Sequence, residues 1–202
     1  MTTTSGSQKI DDAARSILFT EARTSNSFAP IPVTDEELQS IWELAKWPPT
    51  AANTQPLRVL YVRTDEGRDR LLAHMAEGNV AKTRSAPAVA VLAVDTRFYE
   101  HIPTVLPFRP ELKDTLAENN SISESMRSFN SALQAGYFLL AVRAVGLAAG
   151  PMAGFNNNTL DSDFFADGRW KSFLVVNIGH PGANPWFDRL PRLGHDTVVG
   201  WA

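Results

Sequence analysis

Apolar positions along the chain fall into runs whose spacing alternates between helical and extended periods. Ala14, Ile17 and Leu18 lie at helical spacing within Asp11–Phe19 and predict a short helix that leads into the polar stretch Glu21–Phe28. Thr34 and Glu37 form a capping box ahead of the stripe Leu38, Ile41, Trp42 and Ala45, so a helix is expected from Asp35 to Lys46, stopped by Trp47-Pro48-Pro49. Arg58–Arg63 reads as a strand, Asp65–Met75 as a helix, and Ala88–Val94 as a strand buried on both faces. Phe98–Pro110, with aromatics, His101 and three prolines, has the composition of an irregular flap that excludes water. From Ser123 onward Met126, Phe129, Leu133, Gly136, Tyr137, Leu140 and Ala144 recur every three or four residues. Beyond Gly136 this helix is apolar nearly all round, which makes it either central to the fold or part of a subunit interface. A short helix over Asn156–Phe165 and a strand over Lys171–Ile178 complete the pattern.

The long helix runs into Gly146-Leu147-Ala148-Ala149-Gly150-Pro151-Met152-Ala153-Gly154-Phe155. Glycine serves where backbone turns left-handed or another group comes close, so Gly146, Gly150 and Gly154 read as a floor for a flat ligand. A helix stop followed by a strand and a turn explains the same residues and is favoured on this segment alone.

Composition narrows the class. With 202 residues and 44% hydrophobic content, a single domain over 11–202 is expected, preceded by a polar, disordered tail over 1–10. Lys+Arg 19 against Asp+Glu 22 leaves no broad basic surface for nucleic acid. The absence of cysteine excludes disulfides, thiolate metal sites and a Cys nucleophile. No apolar run long enough to span a membrane is present, and the N-terminus lacks a secretory core, so a cytoplasmic protein is expected.

Several polar clusters carry candidate chemistry. Arg23, Ser25 and Asn26 could offer a guanidinium, a hydroxyl and an amide to a phosphate, although a solvated turn is favoured for this stretch taken alone. Thr50-Ala51-Ala52-Asn53 has the small, weakly charged character of a lining for a planar polar ligand. Asn79 and Lys82, three apart, share one helical face, and Arg189 and Arg192 bring two cations into a neutral tail. The four histidines are scattered without metal-ligand spacing, and there is no Gly-x-Ser-x-Gly elbow, Gly-x-Gly-x-x-Gly turn or phosphate-binding Gly-x-x-x-x-Gly-Lys loop. An enzyme built from these residues would borrow its chemistry from a cofactor.

Ala22-Arg23-Thr24-Ser25-Asn26, Lys46-Trp47-Pro48-Pro49-Thr50-Ala51-Ala52-Asn53, Gly78-Asn79-Val80-Ala81-Lys82, Gly150-Pro151-Met152-Ala153-Gly154-Phe155 and Arg189-Leu190-Pro191-Arg192 follow one another in register. In this order the chain resembles the nitroreductase family of FMN-dependent oxidoreductases over about Leu18–Leu193, within it the malonic semialdehyde reductases of pyrimidine degradation. The resemblance implies an α+β sandwich, a central sheet flanked by helices, in a homodimer with the long helix at the interface and two FMN sites shared between subunits. It assigns Arg23, Thr24, Ser25 and Asn26, with Arg189 and Arg192, to the FMN phosphate and ribityl chain. Asn79 and Lys82 fall to the polar edge of the flavin ring, and the amides of Ala153 and Gly154, after Pro151 and Met152, to its N5. Pro49, Thr50, Ala51 and Asn53 would come from the partner subunit. NADPH or NADH would give hydride to the flavin and leave before the acceptor enters, in a ping-pong cycle. By the same resemblance that acceptor would be malonic semialdehyde, giving 3-hydroxypropanoate, with Arg58, Arg109 or Arg127 as candidate partners for its carboxylate. A broad reductase of nitro compounds, quinones or enones and a non-catalytic flavin-binding protein are the alternatives. Three residues depart from the family pattern: Ser27 stands where many members carry a second base, Pro48 replaces a glycine, and Ala153 stands where many nitroreductases have glutamate.

Overall fold

The computed structural model describes residues 9–202. The expected tail lies outside the described residues except for Lys9 and Ile10, which are exposed coil. In chain order the elements are α1 (Asp12–Arg15, continued by a wider turn over Ser16–Thr20), α2 (Asp35–Ala45), β1 (Leu57–Val62), α3 (Asp65–Leu72), α4 (Glu77–Ser85) and β2 (Ala88–Asp95). They continue with α5 (Ile102–Val105), α6 (Leu112–Glu118), α7 (Asn120–Ala144), β3 (Ala148–Met152), α8 (Asn157–Phe164), β4 (Trp170–Gly179) and α9 (His195–Val198). The four strands form one antiparallel sheet in the order β1-β2-β4-β3.

Strand β2 is central and divides the core. Successive side chains of a strand point to opposite faces. Ala88, Ala90 and Leu92 therefore meet Leu38, Ile41 and Ala45 of α2 and Phe138 and Val142 of α7, whereas Val89, Val91 and Ala93 meet Leu71 and Leu72 of α3 and Leu160 of α8. The fold is thus an α+β sandwich with helices on both faces of the sheet. The capping box expected for α2 is complete, since Thr34 Oγ1 accepts from the Glu37 amide and Glu37 Oε2 accepts from the Thr34 amide.

Two expectations change. Phe98–Pro110 is not an irregular flap: it holds a short 3-10 turn and α5, and Phe98, Ile102 and Leu106 pack with Leu116 in a cluster of their own. Their four-residue spacing is helical, and Pro103 sits in the first turn of α5, where a missing amide costs nothing. On α7 the buried face is not the apolar stripe over its first half. Asn130, Ser131 and Gln134 are buried, whereas Phe129, Leu133 and Tyr137 are 66%, 38% and 42% exposed. Asn130 and Gln134 face inward because they have backbone to hold: Asn130 Oδ1 accepts from the Ala51 amide at 2.9 Å and Gln134 Oε1 from the Leu57 amide at 2.9 Å. No helix among the described residues is long and apolar enough to cross a membrane.

Candidate functional site

The loop after α1 is pinned between β3 and the C-terminal segment. The Ser25 amide donates to Ala149 O at 3.0 Å and the Asn26 amide to Pro185 O at 2.9 Å. The Ser27 hydroxyl reaches Ala183 O at 2.8 Å, so the residue that replaces a second base closes the loop instead. Gly150 is obligatory beneath it, because a Cβ there would stand 2.7 Å from the Ser25 carbonyl oxygen. Arg23 donates to Phe187 O at 3.0 Å and Arg189 to Thr20 O at 2.6 Å, which draws the C-terminal segment over the loop.

These contacts build a polar cavity of about 290 Å³ whose wall includes Arg23, Thr24, Asn26, Arg143, Arg189 and Arg192. Asp188 is its one carboxylate, and none of the four guanidinium groups forms an ion pair among the described residues. Such a concentration of unneutralised planar donors fits a dianion such as a phosphate monoester. Ser25, expected with them, is fully buried and absent from the wall, and its hydroxyl donates to Ser27 O at 2.8 Å. Its part is to hold the loop. Arg143 belongs to none of the polar clusters that the sequence singles out, yet it lines this cavity. Its position one turn before Gly146 was the only available signal.

Strand β3 leads from this cavity to a second cluster. From Ala149 to Ala153 it advances about 13 Å at ~3.3 Å per residue. Gly146, with φ of 87°, ends α7, so the plain reading of the glycine segment as helix stop, strand and turn holds, and the turn it delivers is open. Pro151 is half-buried and Met152 buried, whereas Ala153 and Gly154 are exposed beside a wide cavity of about 740 Å³ that His74, Ala76 and Asn156 also line. The amides of Ala153 and Gly154 donate to no atom among the described residues. The Gly154 carbonyl accepts from Asn79 Nδ2 at 2.8 Å and from the Ala76 amide at 3.0 Å, so Asn79 fixes the direction of the turn. Lys82 follows one turn later on α4, half-buried and without an ion pair among the described residues.

Pro49, Thr50, Ala51 and Asn53 stand apart and line neither of these cavities. Their loop is held under strain: Ala52, Asn53 and Gln55 have φ of 53°, 51° and 44°, a region that costs side-chain-bearing residues energy. The Asn130 contact to Ala51 and a bond from Asn53 Nδ2 to Val105 O at 2.8 Å keep it there.

The three arginines considered for a substrate carboxylate are all engaged. Arg109 pairs with Glu111 at 3.8 Å and Arg127 with Glu124 at 3.6 Å. Arg58 meets the buried Asp95 at 2.8 Å, where Arg169 also donates at 3.0 Å. Burial raises the Asp95 carboxyl pKa, but the bonds from Arg169 and the Arg97 amide, with the charge of Arg58, outweigh it and leave it below the usual carboxylate value. No cluster of metal-ligating side chains occurs among the described residues.

The sequence profile of the nitroreductase family matches residues 20–180. This chain belongs to the nitroreductase family. A Streptomyces coelicolor protein named "Putative NADH dehydrogenase/NAD(P)H nitroreductase" is 61% identical over 194 residues, covering 96% of each chain. The nitroreductase-family fold is shared with the crystal structure of an Exiguobacterium sibiricum protein in complex with FMN, at TM-score 0.81 and 19% identity over 98% of this chain and 100% of that one. A gut-bacterial enone reductase superposes at TM-score 0.77 and 18% identity over 96% of this chain and 99% of that one. At such identities the two structures speak for the fold alone.

Proposed function

We propose that this chain is an FMN-dependent NAD(P)H oxidoreductase that acts on small electrophilic substrates, malonic semialdehyde first among them. The observation that carries the reading is the convergence of Arg23, Arg189 and Arg192 on one cavity, connected by β3 to the free amides of Ala153 and Gly154. A bound flavin would supply the chemistry the side chains lack, reversible acceptance of a hydride at N5. Arg23, Arg189 and Arg192, with Thr24 and Asn26 at the rim, hold the phosphate. Ser25 keeps the loop closed on β3, and Pro151 and Met152 form the floor. The two amides of the turn donate toward the ring, and Asn79 keeps them aimed. Lys82 adds positive charge at the ring's polar edge, where preorganised donors favour developing negative charge.

The homodimer belongs to this proposal. Phe129, Leu133 and Tyr137 on α7, Ile17 and Phe19 near the N-terminus, and Leu190, Leu193 and Trp201 near the C-terminus are exposed apolar side chains that a second copy would cover. The strained loop of Pro49, Thr50, Ala51 and Asn53, absent from the walls of its own chain's arginine cavity and of the cavity beside Gly154, would then complete the partner's site. For the substrate, Ala153 leaves the turn without the carboxylate that an anionic acceptor would meet, and Lys82 is the unpaired cation nearby. A broad reductase of nitro compounds, quinones or enones is the second reading, favoured by the width of the cavity beside Gly154.

Purified protein is expected to be yellow and to bleach on addition of NADPH or NADH, and a colourless protein that takes up no FMN overturns the proposal. Steady-state rates with malonic semialdehyde, nitrofurazone and menadione rank the two substrate readings.

A further inference from the structure

Among the four guanidinium groups on the polar cavity, three are tied to the chain. Arg23 donates to Phe187 O, Arg189 to Thr20 O and Ala22 O, and Arg192 to Leu190 O and Pro191 O. The side chain of Arg143 donates to no atom among the described residues. It is half-buried on the last turn of α7, between the polar cavity and a neighbouring apolar one of about 320 Å³ that Arg23, Glu21 and Trp186 also line. Neither Glu21 nor Asp188, the carboxylates on these two walls, forms an ion pair with it. A cation partly removed from water without an anion is costly unless a ligand supplies one. Burial accordingly lowers the Arg143 pKa from its ordinary value.

We propose that Arg143 is a phosphate-binding residue, the one guanidinium of the cavity with its whole donor fork free for a phosphate monoester. The inference rests on the flavin reading above and adds a residue to it. The other three arginines lie on loops and segments that they themselves hold together, so much of their donor capacity goes into building the cavity. Arg143 instead projects from a 25-residue helix packed through Phe138, Ala141 and Val142, so its base is fixed before any ligand arrives. Only the side chain, not the backbone that carries it, then has to be ordered when the ligand binds.

The test compares FMN with riboflavin, which has the same ring and ribityl chain but no phosphate. Dissociation constants of both are measured by flavin fluorescence on full-length apoprotein of the wild type, Arg143→Met and Arg143→Gln. Both variants are expected to bind FMN about 10- to 100-fold more weakly, the loss of one charge-assisted contact, and to bind riboflavin as the wild type does. Unchanged FMN affinity in either variant overturns the assignment. So does a parallel loss of FMN and riboflavin, which would mark Arg143 as a support of the fold. If Arg143→Met fails to fold, the Arg143→Gln pair of constants decides by the same criteria. A wild-type protein that binds neither flavin removes the flavin reading itself, an outcome distinct from FMN binding that ignores Arg143.

Discussion

Side chains on this chain divide into those that hold the frame and those left open. Asp95 is the clearest of the first kind, fully buried and shared between Arg58 and Arg169. Asp95→Asn is expected to lower unfolding stability by about 3 kcal/mol, the low end for a broken buried pair because both arginines reach solvent. Since its folded pKa lies below the unfolded one, Asp95 contributes fully above the ordinary carboxylate range, and that contribution disappears as pH falls through the depressed folded value. Denaturant titrations from neutral to acid pH check both points: the wild type should lose stability on the acid side, and the variant should lack that part of the slope. Arg23 does both, holding Phe187 O while it lines the polar cavity. Arg23→Ala is expected to weaken FMN binding by about 1.5–3 kcal/mol, read as flavin retained through dialysis, and undiminished retention removes Arg23 from the phosphate site. Residue identities alone could nominate Arg23, Arg189 and Arg192. They could not distinguish Ser25, whose hydroxyl closes on Ser27, from a ligand-facing serine, because that depends on which way the loop turns.

Among helices and strands, hydrophobic period was a sound guide wherever one face meets the sheet. It located α2, β1, β2, α7 and β4 within a few residues. It misjudged α7 because a helix with backbone to hold buries its amides and leaves apolar side chains for another surface. Gln134→Leu tests this reversal: apolar gain notwithstanding, it removes the acceptor of the buried Leu57 amide and is expected to destabilise by about 1–3 kcal/mol. Equal or greater stability in chemical denaturation would mean that the Leu57 amide finds another partner. Strand β3 makes a second test. A methyl at Gly150 would meet the backbone of Ser25, which cannot swing aside as a side chain can, so Gly150→Ala should detach the 23–27 loop from β3 and abolish FMN uptake while far-UV circular dichroism stays near wild type. Full flavin content in that variant would show that the loop is not part of the site.

For the molecule as a whole, assembly is the open expectation. Apolar side chains exposed along α7 and at both ends of the described chain predict a dimer, with a light-scattering mass of twice the 22.2 kDa chain. Leu133→Glu, on the exposed face of α7, should yield monomers that lose flavin, because the loop of Pro49 and Asn53 would no longer reach a partner. Flavin-loaded monomers would contradict a shared site.

The amino-acid order was enough for the elements, the doubly buried β2, the capping of α2 and the succession of motifs that points to the nitroreductase family. These are local or order-based properties, encoded in spacing along one dimension. Proximity between distant segments came only with the fold. Arg143 joins Arg23 and Arg192 because the end of α7, the loop after α1 and the C-terminal segment meet beside β3. Asn79 proves to be a clamp on Gly154, and Asn130 and Gln134 prove to be anchors for the loop and strand opposite them. No period in the sequence carries that information, since a polar side chain reads alike whether its partner is water, a ligand or a main-chain amide brought near from elsewhere in the chain.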